Sequence, residues 1–163
     1  MKRILAFKAE NCTGCRICEA MCSLTHGLGL NPARARLKVL RIDESGFDLP
    51  GICRHCEEPP CRDACPVEAI VRDPETDAVL IKEEVCIGCL ACSQACPYGA
   101  IAWDEERRVV TKCDLCQGRP SCVENCPKSA LVYERADVLH ALGQERKLRQ
   151  LAAALARSTD PER

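Results

Sequence analysis

Aromatic side chains are scarce in this chain of 163 residues, of which phenylalanine, tyrosine and tryptophan together make up 3%. A large conventional hydrophobic core is therefore not expected. No apolar run approaches the roughly 20 residues that a membrane-spanning helix needs, and residues 1–7 contain neither an apolar leader nor a cleavage site. We therefore expect a cytoplasmic protein without a membrane span.

An excess of charge of either sign is also missing, because 23 basic and 24 acidic residues leave a formal net charge of −1. The basic residues form no tract of useful length, which argues against a nucleic-acid partner. The patterns of a serine–histidine–acid set, a phosphate-binding loop and a dinucleotide fingerprint are absent too. We therefore expect no site for an organic substrate and no enzyme activity of the chain by itself.

Cysteine, in contrast, is abundant, and each of the 16 cysteines belongs to a group of four. Each group begins with C-x-x-C and ends with C-x-x-x-C, and proline directly follows the last cysteine of three groups. The groups are Cys12-Cys15-Cys18-Cys22, Cys53-Cys56-Cys61-Cys65, Cys86-Cys89-Cys92-Cys96 and Cys113-Cys116-Cys122-Cys126.

This spacing resembles the bacterial ferredoxin run, whose first three thiolates hold one [4Fe–4S] cluster while the fourth reaches another. Sixteen ligands at four per cluster predict four [4Fe–4S] clusters. Zinc ribbons also use C-x-x-C pairs, but a zinc site would not explain the spacing of the other two cysteines of each group or the proline that follows three of the groups. A secreted disulfide scaffold is disfavoured by the tight spacing and the missing leader. Metal binding contributes folding free energy, so clusters could replace part of the core.

The groups are expected to exchange their fourth cysteines, the second with the third and the first with the fourth. Cys22 is the one fourth cysteine without a following proline. The predicted ligand sets are Cys12, Cys15, Cys18 and Cys126 for cluster 1; Cys53, Cys56, Cys61 and Cys96 for cluster 2; Cys86, Cys89, Cys92 and Cys65 for cluster 3; and Cys113, Cys116, Cys122 and Cys22 for cluster 4.

The predicted fold class is α+β, with two nested ferredoxin-like modules and a C-terminal helix. One module comprises about 1–35 with 105–133 and the other about 50–104, within a domain of residues 1–133; residues 134–163 form the tail. Turn-rich loops predict hairpins of 69–72 with 79–82 and of 100–103 with 108–112. We expect further strands at 36–42 and, unpaired, at 131–133. Short helices should begin in the last third of each cysteine group and stop before the proline.

An imperfect apolar stripe predicts a helix over residues 137–157, which either caps the cluster domain or docks a partner subunit. His55 lies between two predicted ligands and either serves as a ligand or proton carrier, or packs beside a sulfur atom and tunes its potential. For His26 and His140 we expect surface or packing roles. Tyr98 and Trp103 should pack and not relay electrons.

The segment Cys53-Arg54-His55-Cys56-Glu57-Glu58-Pro59-Pro60-Cys61 resembles the C-x-H-C-x-x-P-x-C element of a known family. The family comprises the four-cluster ferredoxin-like subunits of molybdenum and tungsten oxidoreductases such as dimethyl-sulfoxide reductase and formate dehydrogenase. Lys112-Cys113-Asp114-Leu115-Cys116 looks like the fourth group of the same family, and the resemblance covers roughly residues 8–133. It implies two nested ferredoxin modules.

Within this family, the stretches 12–27 and 31–37 look nearest to the small electron-transfer subunit of tungsten enzymes of the aldehyde:ferredoxin oxidoreductase superfamily. The resemblance implies an iron–sulfur wire between a large catalytic subunit with a tungsten- or molybdenum-pterin and a flavin or ferredoxin partner. End-to-end self-association is also expected. The alternative is a free, soluble polyferredoxin that serves several enzymes.

Overall fold

The computed structural model describes residues 3–43 and 46–158. Its strands are Arg3–Phe7 (β1), Lys38–Ile42 (β2), Phe47–Gly51 (β3), Ile70–Arg72 (β4), Val79–Ile81 (β5), Ile101–Asp104 (β6), Val109–Lys112 (β7) and Leu131–Arg135 (β8). Its α-helices are Ile17–Thr25 (α1), Pro60–Asp63 (α2), Ala91–Ala95 (α3), Ser121–Glu124 (α4) and Ala136–Ser158 (α5). Short 3-10 turns occupy Ala9–Asn11, Pro32–Arg34 and Leu115–Gly118. The mixture of helices and small sheets agrees with the predicted α+β class.

The strands of the described residues form two-stranded antiparallel sheets, which pair β1 with β8, β2 with β3, β4 with β5 and β6 with β7. The two predicted hairpins are present as β4–β5 and β6–β7. The prediction of an unpaired strand after the fourth cysteine group was wrong, because Leu131 pairs with Phe7 and Arg135 with Arg3. This pairing joins the two ends of the cysteine-containing region.

The four short helices accompany the four cysteine groups, and proline decides where three of them end. Helices α2, α3 and α4 finish at Asp63, Ala95 and Glu124, one or two residues before a cysteine that proline follows. The residue before proline avoids the helical conformation, so these helices cannot continue. Helix α1 runs through Cys22 to Thr25, because serine follows Cys22.

Buried side chains form two hydrophobic clusters, and cysteines take part in both. The larger cluster includes Leu5, Leu37, Val39, Leu115 and Leu131 together with Cys22, Cys53, Cys113 and Cys122. The smaller one includes Ile70, Val79, Ile101 and Val110 together with Cys61 and Cys92. The core is therefore built from aliphatic side chains around sulfur atoms, as the scarcity of aromatic residues suggests.

Helix α5 follows β8 directly, and its first turns cover the β1–β8 sheet. Leu139 and Leu142 line a cavity there together with Phe7 and Val132. Farther along, 66% of Leu148 is exposed. Leu139 and Leu142 of the predicted stripe thus border this cavity, Leu142 with 49% of its surface exposed, whereas Leu151 and Leu155 lie outside the residues with described side chains. Among the described helices, none has the length and hydropathy that a membrane crossing requires.

Candidate iron–sulfur centres

Three cavities are each lined by four cysteines, three from one group and the fourth from another. The first contains Cys12, Cys15, Cys18 and Cys126; the second contains Cys53, Cys56, Cys61 and Cys96; the third contains Cys65, Cys86, Cys89 and Cys92. The fold therefore brings together the members of the cluster 1, cluster 2 and cluster 3 sets. Ligation by these thiolates stays a prediction.

The cluster 4 set gathers where α1 meets α4. Burial is the main factor that raises the pKa of Cys122 to about 12, and the nearby Cys22 and Cys116 raise it further. The pKa of Cys113 is raised chiefly by burial and then by Cys122. Such mutual effects require short distances between the sulfur atoms, so Cys22 lies beside members of the fourth group. Buried thiols resist ionisation, and a bound metal would supply the free energy for thiolate formation.

The electrostatic effects of one thiol on the pKa of another also show which sets are neighbours. Cys18 of the cluster 1 set raises the pKa of Cys122 in the cluster 4 set. Cys53 of the cluster 2 set raises the pKa of Cys113 in the cluster 4 set. Cys61 of the cluster 2 set raises the pKa of Cys92 in the cluster 3 set. The order is therefore 1, 4, 2, 3. Cys15 and Cys89 are the exposed cysteines of the chain, and they belong to the two ends of this row.

Backbone N–H groups point towards the sulfur atoms in a repeated pattern. The second residue after the opening cysteine of each group has positive φ, as shown by Gly14 (65°), His55 (45°), Gly88 (69°) and Leu115 (58°). In two groups the N–H donates to the opening sulfur, from His55 to Cys53 and from Leu115 to Cys113, both at 3.4 Å. Positive φ is easy for glycine and strained for other residues. The cysteine loops therefore share a positive φ at this position even where glycine is missing.

His55 presents a buried N–H group that has no partner. Its Nδ1 accepts a hydrogen bond from the Val79 N–H at 2.9 Å, so the proton of the neutral ring lies on Nε2. Nε2 is buried and has no hydrogen-bond partner among the described residues. Burial and then the charge of Lys112 lower the pKa of His55 to about 3. His55 lines the cluster 2 cavity, where a sulfur acceptor would satisfy this donor.

Lys112 lines the same cavity, and nothing in the spacing of the cysteines pointed to it. Only 4% of this residue is exposed. Its Nζ donates to the carbonyl oxygen of Val79, and it forms no ion pair with the carboxylates of the described residues. A buried cation requires a compensating anion. The unpartnered N–H and the unmatched cation both fit a sulfur-rich group of net negative charge held by the four thiolates.

We expected a surface or packing role for His26, and the sequence interpretation missed that it lies beside the cluster 4 set. Its Nδ1–H donates to the Cys22 carbonyl at 2.7 Å and lies 3.9 Å from Cys22 Sγ, while Nε2–H donates to Asp114 at 3.1 Å. The hydrogen bond to Asp114 is the main factor that raises the pKa of His26 to about 10. The position of His26 four residues after Cys22 in one helix was the available signal.

Asp114 is the shared partner of two cations. Arg36 Nη1 donates to Asp114 at 2.7 Å, and its other terminal nitrogen lies 3.6 Å from Glu83. Burial opposes ionisation of Asp114, but the hydrogen bond from His26 and the charge of Arg36 hold its pKa well below the usual range. His26 and Arg36 therefore each have a carboxylate partner, and Glu83 also pairs with Arg107. His26, Asp114 and Cys116 also place ligand atoms within 4.8 Å of one another, but Cys116 is already a member of the cluster 4 set.

The remaining candidates occupy the surface. His140 is exposed on α5, and 51% of Tyr98 and 40% of Trp103 are exposed. Tyr98 lies under the guanidinium group of Arg54, which is 5.7 Å from the ring centroid. The position of His140 agrees with the surface role that we expected, whereas Tyr98 and Trp103 are more exposed than the expected packing roles imply.

The chain matches the family described as 4Fe-4S dicluster domain over residues 46–136. It is 41% identical over 106 residues to the polyferredoxin-like subunit of an aliphatic sulfonate oxidoreductase from Pyrococcus furiosus, covering 65% of this chain and 61% of that protein. It is 40% identical over 112 residues to component A of hydrogenase-4 from Escherichia coli, covering 67% of this chain and 51% of that protein. The chain thus spans between about half and three fifths of the length of these curated relatives.

Among solved structures, the active-site complex BamBC of benzoyl coenzyme A reductase is similar at a TM-score of 0.48 and 24% identity, over 96% of this chain and 95% of that chain. A likeness at this level carries no argument. The family match, in contrast, confirms the prediction of a ferredoxin-type protein that binds [4Fe–4S] clusters.

Proposed function

The chain belongs to the 4Fe-4S dicluster domain family, and from this membership we propose that it is an electron-transfer subunit with four [4Fe–4S] clusters. The observation that carries the proposal is the row of four cysteine sets with one exposed cysteine, Cys15 or Cys89, at each end. A row that reaches the surface at both ends suits transfer between two partners. A carrier that exchanges electrons at a single surface needs only one such end.

We further propose that one ferredoxin-like module is nested inside the other. Two contacts support this arrangement, because each joins the segment of the first cysteine group to that of the fourth. They are the pairing of β1 with β8 and the packing of Cys22 on α1 with Cys122 on α4 in one buried cluster. The first and fourth cysteine groups would then form the outer module around the second and third.

Bound clusters would each take up and release one electron at a time. The chain itself supplies sixteen thiolates, backbone N–H groups aimed at sulfur, and an aliphatic packing that keeps water from the inner sets. Burial of this kind lowers the local dielectric and strengthens the effect of nearby charges on each site. The residues would therefore set the position and the electrostatic environment of each site, while catalysis occurs on another subunit.

We propose a large catalytic oxidoreductase subunit as the partner at one end of the row, with a tungsten- or molybdenum-pterin as its cofactor. The resemblance of residues 53–61 to subunits of such enzymes supports this choice. A flavin-containing subunit or a ferredoxin would dock at the other end. The two curated relatives named above carry names of oxidoreductase components, which is in keeping with a multi-subunit setting.

Anaerobic purification from native cells tests the proposal in two steps. Iron and acid-labile sulfide should each reach about sixteen per chain, whereas about four zinc ions without sulfide would refute the cluster assignment. The chain should also co-purify with a larger subunit. A fully loaded chain that is isolated alone, and that binds several enzymes weakly and in a salt-sensitive way, would establish the free polyferredoxin instead.

A truncation separates capping from docking by α5. Removing residues 147–163 leaves Leu139 and Leu142 on the β1–β8 sheet, so clusters should load normally. Loss of the larger subunit from this truncated chain would assign docking to the far part of α5, where Leu148 is exposed. Retention of the subunit would restrict α5 to the capping role.

A further inference from the structure

We propose that Lys112 and His55 raise the reduction potential of the centre held by Cys53, Cys56, Cys61 and Cys96, so that an electron on the wire rests preferentially at this inner position. The inference rests on the proposed function and adds to it a direction of electron flow at one step. It assigns to Lys112 a role that neither the cysteine spacing nor the family match indicates.

The first argument is the unmatched charge of Lys112. Its side chain is buried, lines the cavity of the four thiolates, and donates to the carbonyl oxygen of Val79, which is uncharged. The ammonium group therefore stabilises negative charge on this set. Reduction adds one more negative charge, and a nearby buried cation favours the reduced state.

The second argument is the orientation of His55. Its Nδ1 is occupied by the Val79 N–H, and its buried Nε2–H lacks an acceptor among the described residues. A hydrogen bond to sulfur strengthens as the sulfur gains negative charge, so such a donor also favours the reduced state. Val79 binds both groups, Lys112 through its oxygen and His55 through its N–H. One residue of β5 therefore positions the cation and the donor on the same cavity.

The neighbouring cavities provide no comparable charge. The lining of the cluster 3 cavity consists of cysteine, glycine and aliphatic side chains, without a charged residue among those described. Beside the cluster 1 cavity, Arg16 and Lys128 are exposed, so solvent screens them. Around Cys22, the basic groups His26 and Arg36 each form an ion pair with a carboxylate. Lys112 is thus the one buried, unmatched cation among the groups described at these sets.

A direction follows for the step between the cluster 3 and cluster 2 sets, which are adjacent because Cys92 and Cys61 pack in one buried cluster. An electron that enters near the exposed Cys89 would move towards the higher potential at the inner centre. The inner centre would accordingly be reduced before the terminal one in a redox titration. The order in which these two centres are reduced can therefore be measured.

The test is a redox titration of the fully loaded protein, followed by electron paramagnetic resonance. In Lys112→Met, the one-electron reduction equilibrium of one centre should fall at least tenfold, which is a downward shift of about 59 mV or more. Lys82→Met serves as the matched control, because Lys82 is an exposed lysine directly after β5. Lys82→Met should change the one-electron reduction equilibrium of every centre less than threefold. Lys112→Arg, which keeps the charge, should restore the potential.

His55 is tested with two amides of different reach. His55→Gln can place an N–H near the position of Nε2, whereas His55→Asn can only replace Nδ1. The asparagine variant should lower the potential of the same centre that Lys112→Met affects, and the glutamine variant should lower it less. Pulsed resonance in deuterated water should show an exchangeable hydrogen near that centre, and this coupling should be absent in His55→Asn.

The outcomes separate the two proposals. Low iron and sulfide in the wild-type protein would refute the proposed function before any titration. With about sixteen iron present, unchanged potentials in Lys112→Met, or a shift no larger than that of Lys82→Met, would overturn the inference. Should the methionine variant lose iron, the pair Lys112→Gln and Lys112→Arg decides, since both keep a donor for Val79 and only arginine keeps the charge. Equal potentials in these two variants would also overturn it.

Discussion

The exchange of fourth cysteines makes a prediction that two double variants can decide. Cys96 lies 10 positions after Cys86 in its own group, but it lines a cavity with Cys56 of the preceding group. We therefore compare Cys56→Ala/Cys96→Ala with Cys86→Ala/Cys96→Ala. Both double variants remove two thiolates from the chain, so general effects of lost sulfur are matched.

The expected magnitudes follow from how many ligands each centre loses. In Cys56→Ala/Cys96→Ala one centre loses two of four thiolates and should be lost completely, leaving about twelve iron per chain and three unchanged centres. In Cys86→Ala/Cys96→Ala two centres each lose one thiolate. Each should then lose a single iron, which leaves about fourteen iron and two altered centres.

The assay is iron and sulfide analysis of protein purified without oxygen, together with electron paramagnetic resonance spectra of the reduced and oxidised forms. The number of altered centres is the decisive quantity, one in the first variant and two in the second. The opposite result, two altered centres in Cys56→Ala/Cys96→Ala and one in Cys86→Ala/Cys96→Ala, would show that each group binds its own cluster. The crosswise assignment would then be wrong.

Three further predictions concern the half-life of the loaded protein at a fixed temperature. Arg34→Met leaves Asp104, 4% exposed, without its cation, and should shorten the half-life at neutral pH. Burial opposes ionisation of Asp104, but Arg34 lowers its pKa, so this advantage of the wild type is present above pH 3.8 and is lost as the pH falls through the lower folded-state value. Glu19→Ala removes the buried carboxylate oxygen that accepts a hydrogen bond from a β2 N–H at 2.7 Å. This variant should lose about 2 kcal/mol of stability and have a shorter half-life, and Glu19→Gln should lose less. Gly88→Ala places a Cβ 3.1 Å from a carbonyl oxygen and from an indole ring, at a residue with φ +69°. This variant should lose about 1–2 kcal/mol of stability and have a shorter half-life. Gly143→Ala in α5 is the control, because its Cβ meets nothing within 4 Å and should not shorten the half-life.

Each of these predictions has a result that contradicts it. An Arg34→Met protein as long-lived as the wild type at neutral pH would show that the contact with Asp104 contributes little to joining the two modules. Equal half-lives of the alanine and glutamine variants at Glu19 would exclude the acceptor as the cause. A Gly88→Ala protein that behaves like Gly143→Ala would show that the loop after Cys86 tolerates a side chain.

The hairpins and short helices were predictable because their signals are local. Turn-forming residues such as Asp73 and Pro74 lie directly between the strands that they connect, and proline after Cys65, Cys96 or Cys126 acts on the residue before it. The partner of Leu131–Arg135 was missed for the opposite reason. Strand β1 has only five residues and lies far away in sequence, so no turn marks the pairing.

Partners of polar residues were also beyond the reach of the sequence. Lys112 and Lys82 are the same residue type, but Lys112 is buried beside a thiolate set and Lys82 is exposed. The ion pair of Arg34 with Asp104 likewise joins segments whose composition shows no relation. Burial depends on how the whole chain packs, and a single residue type carries no record of it.

The cysteine spacing alone determined the chemistry of this protein. Sixteen thiolates in four repeated groups suit [4Fe–4S] clusters, because ligand type and spacing are local properties of the chain. The repeat also predicted which fourth cysteine belongs with which group, and the cavities bring those cysteines together. Only the tertiary structure decided the order of the sets and the location of Cys15 and Cys89 at exposed ends. Those features depend on contacts between distant segments, and such contacts arise from packing and loop closure.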